Sequence, residues 1–253
     1  MRTPLIIANW KSNPSRPEDA VSLVKKIEDG VRNMRGINVV IAPPFLFLQA
    51  VKSVQEKTKL GAQDSFWKDA GPYTGAVSWR HLKAVGAHSV IVGHSERKIY
   101  FGETDEIINK KVKSLLGNAM RVILCVGEKE RLGGEIPDIV REQLEAALAG
   151  VPKDALPNLT VAYEPVWAIS TTSGARPDTP KNAFQVAVFI RKILTGLYGK
   201  ASSEKVRIIY GGSVNSGNIL PFLRDGKMEG ALVGSASLNP KEFIKIIHTA
   251  HTR

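Results

Sequence analysis

Cysteine is nearly absent. Cys125 alone among 253 residues rules out an internal disulfide and fits a reducing compartment. Long apolar runs are absent as well. The N-terminal run Leu5-Ile6-Ile7-Ala8 is too short for the hydrophobic region of a secretory signal, and no stretch approaches the about 18 apolar residues that span a bilayer. A cytoplasmic protein with no membrane partner is the expectation. Low-complexity segments and linkers are missing too, which argues for one domain over residues 1–253. His81, His88, His248 and His251 show no metal-ligand grouping, so neither a metal nor another cofactor is expected.

What is present is ordinary globular chemistry. Hydrophobic residues make up 43% and charged ones 23%, and a chain of this length can bury a large core without staples. The net charge of +11 permits nucleic-acid binding without demanding it. Basic residues are dispersed along helical stretches, as in Lys110-Lys111 with Lys113, and no nucleic-acid motif accompanies them. A solvated surface and no nucleic-acid partner are therefore expected. A positive field would also steer an anionic ligand toward a cleft.

Short β-branched runs recur at Leu5–Ala8, Val39–Ala42, Leu60–Ala62, Ser89–Val92, Val122–Val126, Thr160–Tyr163, Val206–Tyr210 and Ala231–Val233. Brief, nearly continuous apolar runs are what parallel strands buried on both faces look like. Amphipathic stretches separate them, with proline as helix punctuation. Pro17 precedes one and Pro137 starts another. Pro177 and Pro180 open a long one containing Phe184, Val188 and Ile190, and Pro240 begins the last, Lys241–His251. Eight strand-then-helix units argue for an α/β chain closed into a single (β/α)8 barrel, with a doubly wound open sheet as the alternative.

In such a barrel the residues just after each strand form the catalytic face. Here they are Asn9 and Lys11, Gln63, His94-Ser95-Glu96, Cys125-Val126-Gly127-Glu128, Glu164-Pro165, Gly211-Gly212-Ser213 and Gly234-Ser235. Ionisable and phosphate-friendly groups thus fall at one edge of the sheet. Cys125 has no basic neighbour to make it a reactive thiolate and reads as a packing residue.

At these positions the chain resembles the triosephosphate isomerase family over its full length. The resemblance is carried by Asn9-Trp10-Lys11, Val92-Gly93-His94-Ser95-Glu96-Arg97, Ala162-Tyr163-Glu164-Pro165-Val166-Trp167-Ala168-Ile169, Tyr210-Gly211-Gly212-Ser213-Val214 and Leu232-Val233-Gly234, in family order. It implies interconversion of dihydroxyacetone phosphate and D-glyceraldehyde 3-phosphate, a step of glycolysis and gluconeogenesis, through an enediolate. Glu164 would be the base, His94 a neutral hydrogen-bond donor at a helix start, and Lys11 a fixed positive charge. The histidine and glutamate of this enzyme are a standard worked case of pKa tuning. Asn9 would hold Lys11 and the substrate in register, and Glu96 would belong to the active site or merely compensate a helix start. Gly212, Ser213, Gly234, Ser235 and, from the lid, Ser170 would bind phosphate through main-chain amides. The lid and clamp would comprise Pro165, Val166, Trp167, Ile169, Thr171, Thr172, Ser173, Gly174, Ala175, Tyr210 and Leu232. Ile169 and Leu232 would close over Glu164 and desolvate it. A homodimer is implied, with Tyr73, Thr74 and Gly75 on a loop that docks into the partner subunit.

Three departures stand out. Ser170-Thr171-Thr172-Ser173 replaces the family's usual Gly-Thr-Gly-Lys, and Gly174 follows near the C-terminal hinge. Ser235 stands where a second glycine is usual, and Ala76 where an acidic residue usually pairs across the dimer. The altered lid keeps open a second reading, a weakly active or non-catalytic barrel that binds phosphate.

Overall fold

A computed structural model describes residues 2–131, 135–170 and 172–253, so Thr171 of the expected lid lies outside the described residues. Eight strands form the sheet: β1 (Leu5–Asn9), β2 (Asn38–Ala42), β3 (Lys59–Ala62), β4 (Ser89–Val92), β5 (Arg121–Val126), β6 (Leu159–Tyr163), β7 (Arg207–Tyr210) and β8 (Gly230–Val233). They pair in sequence order, all parallel, into a closed barrel. Leu5 faces Asn38 on one side and Gly230 on the other, which removes both sheet edges.

Between their polar first residues and their C-terminal ends the strand runs are nearly continuously apolar, because both faces are covered. Ile7, Val40, Ile91, Ile123, Cys125, Ala162, Ile209 and Leu232 pack together as one buried cluster inside the barrel. Their neighbours Ile6, Ala8, Ile41, Val90, Val92, Leu124 and Val161 point outward and join the helices in the larger core. Helix Pro17–Val31 contributes Ala20, Val24, Ile27 and Val31, the spacing that places one stripe on the sheet. Helix starts carry the chemistry their positions need. Thr104 and Thr179 accept amide hydrogen bonds from Ile107 and Asn182, and Asn239 caps helix Pro240–His251.

Two places in the helices add to or correct the sequence reading. In helix Pro180–Tyr198 the buried stripe is Ala183, Val186, Ala187, Ile190 and Leu194, whereas Phe184 and Val188 face outward. Lys111 is not a solvated surface lysine. Its ammonium is buried 2.6 Å from Asp64 and 2.7 Å from Glu103, and Arg97 closes the network at 2.9 Å and 2.6 Å from the same two carboxylates. Burial pushes the Asp64 carboxyl up, against the pull of Lys111 and Arg97. Removing one partner would leave an uncompensated buried charge. Lys111→Ala is expected to cost about 3–5 kcal/mol of unfolding free energy, read from denaturant midpoints; a cost near zero would mean that water replaces the ammonium.

Candidate active site

Every site residue expected from the strand ends lies at the C-terminal mouth of the barrel. Asn9 ends β1, and its side-chain oxygen accepts the Lys11 amide at 3.1 Å. Lys11 sits at φ 53, a left-handed conformation uncommon outside glycine. Gln63, from the end of β3, helps hold it there: its amide donates to the Lys11 carbonyl at 2.7 Å and to that of Ala42 at 2.9 Å. The Lys11 ammonium meets Glu96 at 2.7 Å.

His94 follows β4 and caps helix Ser95–Phe101. Its Nδ1 accepts the Glu96 amide at 3.3 Å, which assigns the ring proton to Nε2. That Nε2 lies 3.0 Å from the Glu164 carboxylate. Ser95 donates its hydroxyl to one Glu164 oxygen at 3.0 Å and its amide to the other at 3.1 Å. Asn9, Lys11, His94 and Glu164 line one cavity. Ile169, Ser170 and Leu232 border it, as do Gly212, Ser213, Gly234 and Ser235.

The charges are set by their surroundings. Burial alone would push the Glu164 carboxyl up, but His94 and the two Ser95 donors outweigh it and hold the group below the ordinary carboxylate value. For His94, burial opposes the imidazolium, yet the Glu164 and Glu96 carboxylates prevail and raise its pKa while this contact lasts. Withdrawal of Glu164 removes the largest of those attractions. Burial, the Glu96 amide on Nδ1 and the Lys11 charge then favour the neutral ring.

Glu164 is placed by a close backbone approach. Its amide donates to the Val126 carbonyl at 2.8 Å, and a Cβ on Gly127 would lie 2.0 Å from its carbonyl oxygen. Only glycine fits there. Gln143, from helix Ile139–Leu148, clamps the Gly127 peptide with hydrogen bonds of 2.9 Å and 3.2 Å.

The stem of the lid is fastened at both ends. Val166–Ala168 form a buried 3-10 turn after Pro165, and one oxygen of the buried Glu128 accepts Tyr163 Oη–H at 2.8 Å and Trp167 Nε1–H at 2.9 Å. Arg176 closes the far end, with its amide on the Trp167 carbonyl at 3.0 Å and its guanidinium over the Trp167 ring. Tyr210 donates to Asp178 at 3.2 Å. Between these anchors Thr172, Ser173, Gly174 and Ala175 make a turn closed by the Ala175 amide on Thr172, with Gly174 at φ 72. Gly174 is therefore required by the turn itself. Ser213 directs both its hydroxyl, at 2.7 Å, and its amide, at 3.2 Å, to the Ala168 carbonyl.

Tyr73, Thr74 and Gly75 lie on an exposed loop and do not line the cavity of their own chain. The sequence assigns no role to Gln63, Ser95, Gly127, Glu128, Arg176 or Asp178. Gln63 is named alone at a strand end and Ser95, Gly127 and Glu128 stand inside strand-end strings, but nothing there distinguishes a supporting residue from a turn.

Cys125 is fully buried, and burial raises its pKa well above the ordinary thiol value. Native protein treated with iodoacetamide at pH 8 is expected to keep its activity and its free thiol. Rapid stoichiometric labelling would overturn the packing role.

A closed parallel barrel whose ionisable groups converge on one mouth is the architecture of a (β/α)8 enzyme. A family model described as triosephosphate isomerase matches residues 4–250. Proteins named triosephosphate isomerase from Thermoanaerobacter sp. (strain X514), Alkaliphilus oremlandii and Citrifermentans bemidjiense are 44%, 42% and 41% identical to it, each across 98% of this chain and 98–100% of the relative. The chain belongs to the triosephosphate isomerase family and is an isomerase. Membership favours the catalytic reading over the phosphate-binding barrel without activity.

Proposed function

We propose that Glu164, His94 and Lys11 carry the interconversion of dihydroxyacetone phosphate and D-glyceraldehyde 3-phosphate. The observation that carries this reading is the 3.0 Å contact between Glu164 and His94 Nε2 at a cavity shared with Lys11. Glu164 leaves Ser95 and takes a proton from the carbon beside the carbonyl. His94 Nε2–H and the Lys11 ammonium stabilise the oxyanion that develops. Glu164 then returns the proton to the adjacent carbon. Main-chain amides of Gly212, Gly234, Ser235 and Ser170 hold the phosphate, joined by Ser213 once it releases Ala168.

A coupled assay in deuterium oxide tests the chemistry. Isomerisation with solvent deuterium incorporated at carbon is expected for an enediolate. Complete retention of the substrate's own hydrogen, together with undiminished turnover by Glu164→Gln, would indicate a hydride shift and remove Glu164 from its role.

Ser170-Thr171-Thr172-Ser173 narrows backbone choice relative to the glycines usual in the family. Lid closure is accordingly less favourable and turnover lower. A measured kcat/KM near the diffusional ~10⁸ M⁻¹s⁻¹ would overturn this.

The working unit is a homodimer in the cytoplasm. Leu46, Tyr100 and Phe101 are 89%, 76% and 69% exposed, an unusual outlay of apolar surface for a lone chain. The loop carrying Thr74 is braced by the buried Asp64–Lys111 network and by the tilted contact of the Phe66 and Tyr73 rings, 4.8 Å between centroids, and it presents a preformed knob to a second copy. Sedimentation at micromolar concentration should give twice the chain mass despite Ala76; a monomer would refute the assembly.

A further inference from the structure

The opposite mouth of the barrel holds a cavity of about 380 Å³, within the range of about 300–1,000 Å³ typical of small-molecule sites. Its wall is basic. Lys59, Arg121 and Arg207 open β3, β5 and β7, and Arg2, His88 and Lys205 stand just before β1, β4 and β7. These residues are scattered in the chain, and only barrel closure gathers them.

We propose that this mouth is a second binding site, built for a compact polyanion of linked phosphate groups. Three observations support it. Lys59, Arg121, Lys205 and Arg207 form no ion pair with any described carboxylate. The nearby acid, Glu229, is already engaged by Arg2 at 3.5 Å, Arg191 at 3.7 Å and the Ile208 amide at 3.0 Å. Ser89, a residue 3% exposed, lines the cavity, and its buried hydroxyl has no hydrogen-bond partner among the described residues. Ser89 sits directly beside Arg121 in the β4–β5 register, so one anion can accept from both.

The cations also act on one another. Burial, then Arg121 and Lys59, push the His88 imidazole down. Burial, with Arg2, Arg121 and Arg253 and against Glu229, holds Arg207 below its ordinary range. A bound polyanion would relieve both. Helix C-termini face this end and attract cations, but Lys59, Arg121 and Arg207 begin strands and do not close helices.

Calorimetry on the intact protein with inorganic tripolyphosphate is the test, with a nucleoside triphosphate and orthophosphate alongside. One tripolyphosphate is expected per chain, bound more tightly than orthophosphate and not displaced by the triose substrate. Arg121→Ser with Arg207→Ser should weaken it at least about tenfold with kcat and KM unchanged. Ser89→Ala, which removes one oxygen from an otherwise intact wall, should weaken it by a few-fold. A nucleoside triphosphate binding comparably would assign recognition to the phosphates. Wild-type affinity in both variants, displacement by the triose, or binding of the nucleotide alone would overturn the proposal.

Discussion

Replacing Glu164 with alanine is expected to lower kcat by at least about 10²–10⁴-fold, the usual contribution of a positioned general base. The expectation follows from how the carboxylate is held. It is buried, yet three donors keep it ionised: His94 Nε2–H and the hydroxyl and amide of Ser95. A group kept charged without water is a poor choice for structure alone, because desolvation opposes its ionisation. Glu164→Ala should leave KM less changed than kcat, since the phosphate amides are untouched. Glu164→Asp keeps the charge and withdraws it by one carbon–carbon bond, so it separates the presence of a base from its reach. Retention of most of the wild-type kcat by Glu164→Ala would remove this residue from the chemistry.

Gly127→Ala is the second large effect, although Gly127 touches no substrate. Its new Cβ would lie 2.0 Å from the Glu164 carbonyl oxygen and 2.5 Å from the carbonyl carbon, both backbone atoms with no rotamer to yield. Gln143 pins the Gly127 peptide from behind, so the strain falls on Glu164. Misplacing a reacting group by about 1 Å can cost about 10²-fold, and a kcat loss of that order is expected here. Forcing a methyl group into so close a contact should also lower stability by about 1–3 kcal/mol. Steady-state kinetics and denaturation on one preparation check both. A variant with wild-type kcat would show that β5 can retreat without moving the base.

The barrel was legible because its strands are buried on both faces. Nearly continuous apolar runs such as Val122–Val126 and Thr160–Tyr163 leave little choice of element. The site was legible for a related reason: strand ends share one mouth, so His94 and Glu164 meet without any local signal of pairing. Contacts between distant backbone segments were not legible. Gly127 reads as a turn glycine until β5 and β6 lie side by side. Lys111 reads as one more helical lysine until Asp64 and Glu103 arrive from other elements. Phe184 and Val188 fit the helical period, but the buried face belongs to Ala183, Val186, Ala187 and Ile190. The basic rim is a further case: Arg121 and Arg207 are far apart in the chain and close only through closure.

Ser213 gives its hydroxyl and its amide to the Ala168 carbonyl, the same donors a phosphate would claim. The two partners exclude each other, so docking the ligand and unlatching the cover become one transaction. By thermodynamic reciprocity, whatever tightens that latch loosens the grip on phosphate to the same degree. A change in the tip between Ser170 and Ala175 therefore surfaces as weaker retention of substrate as well as slower turnover.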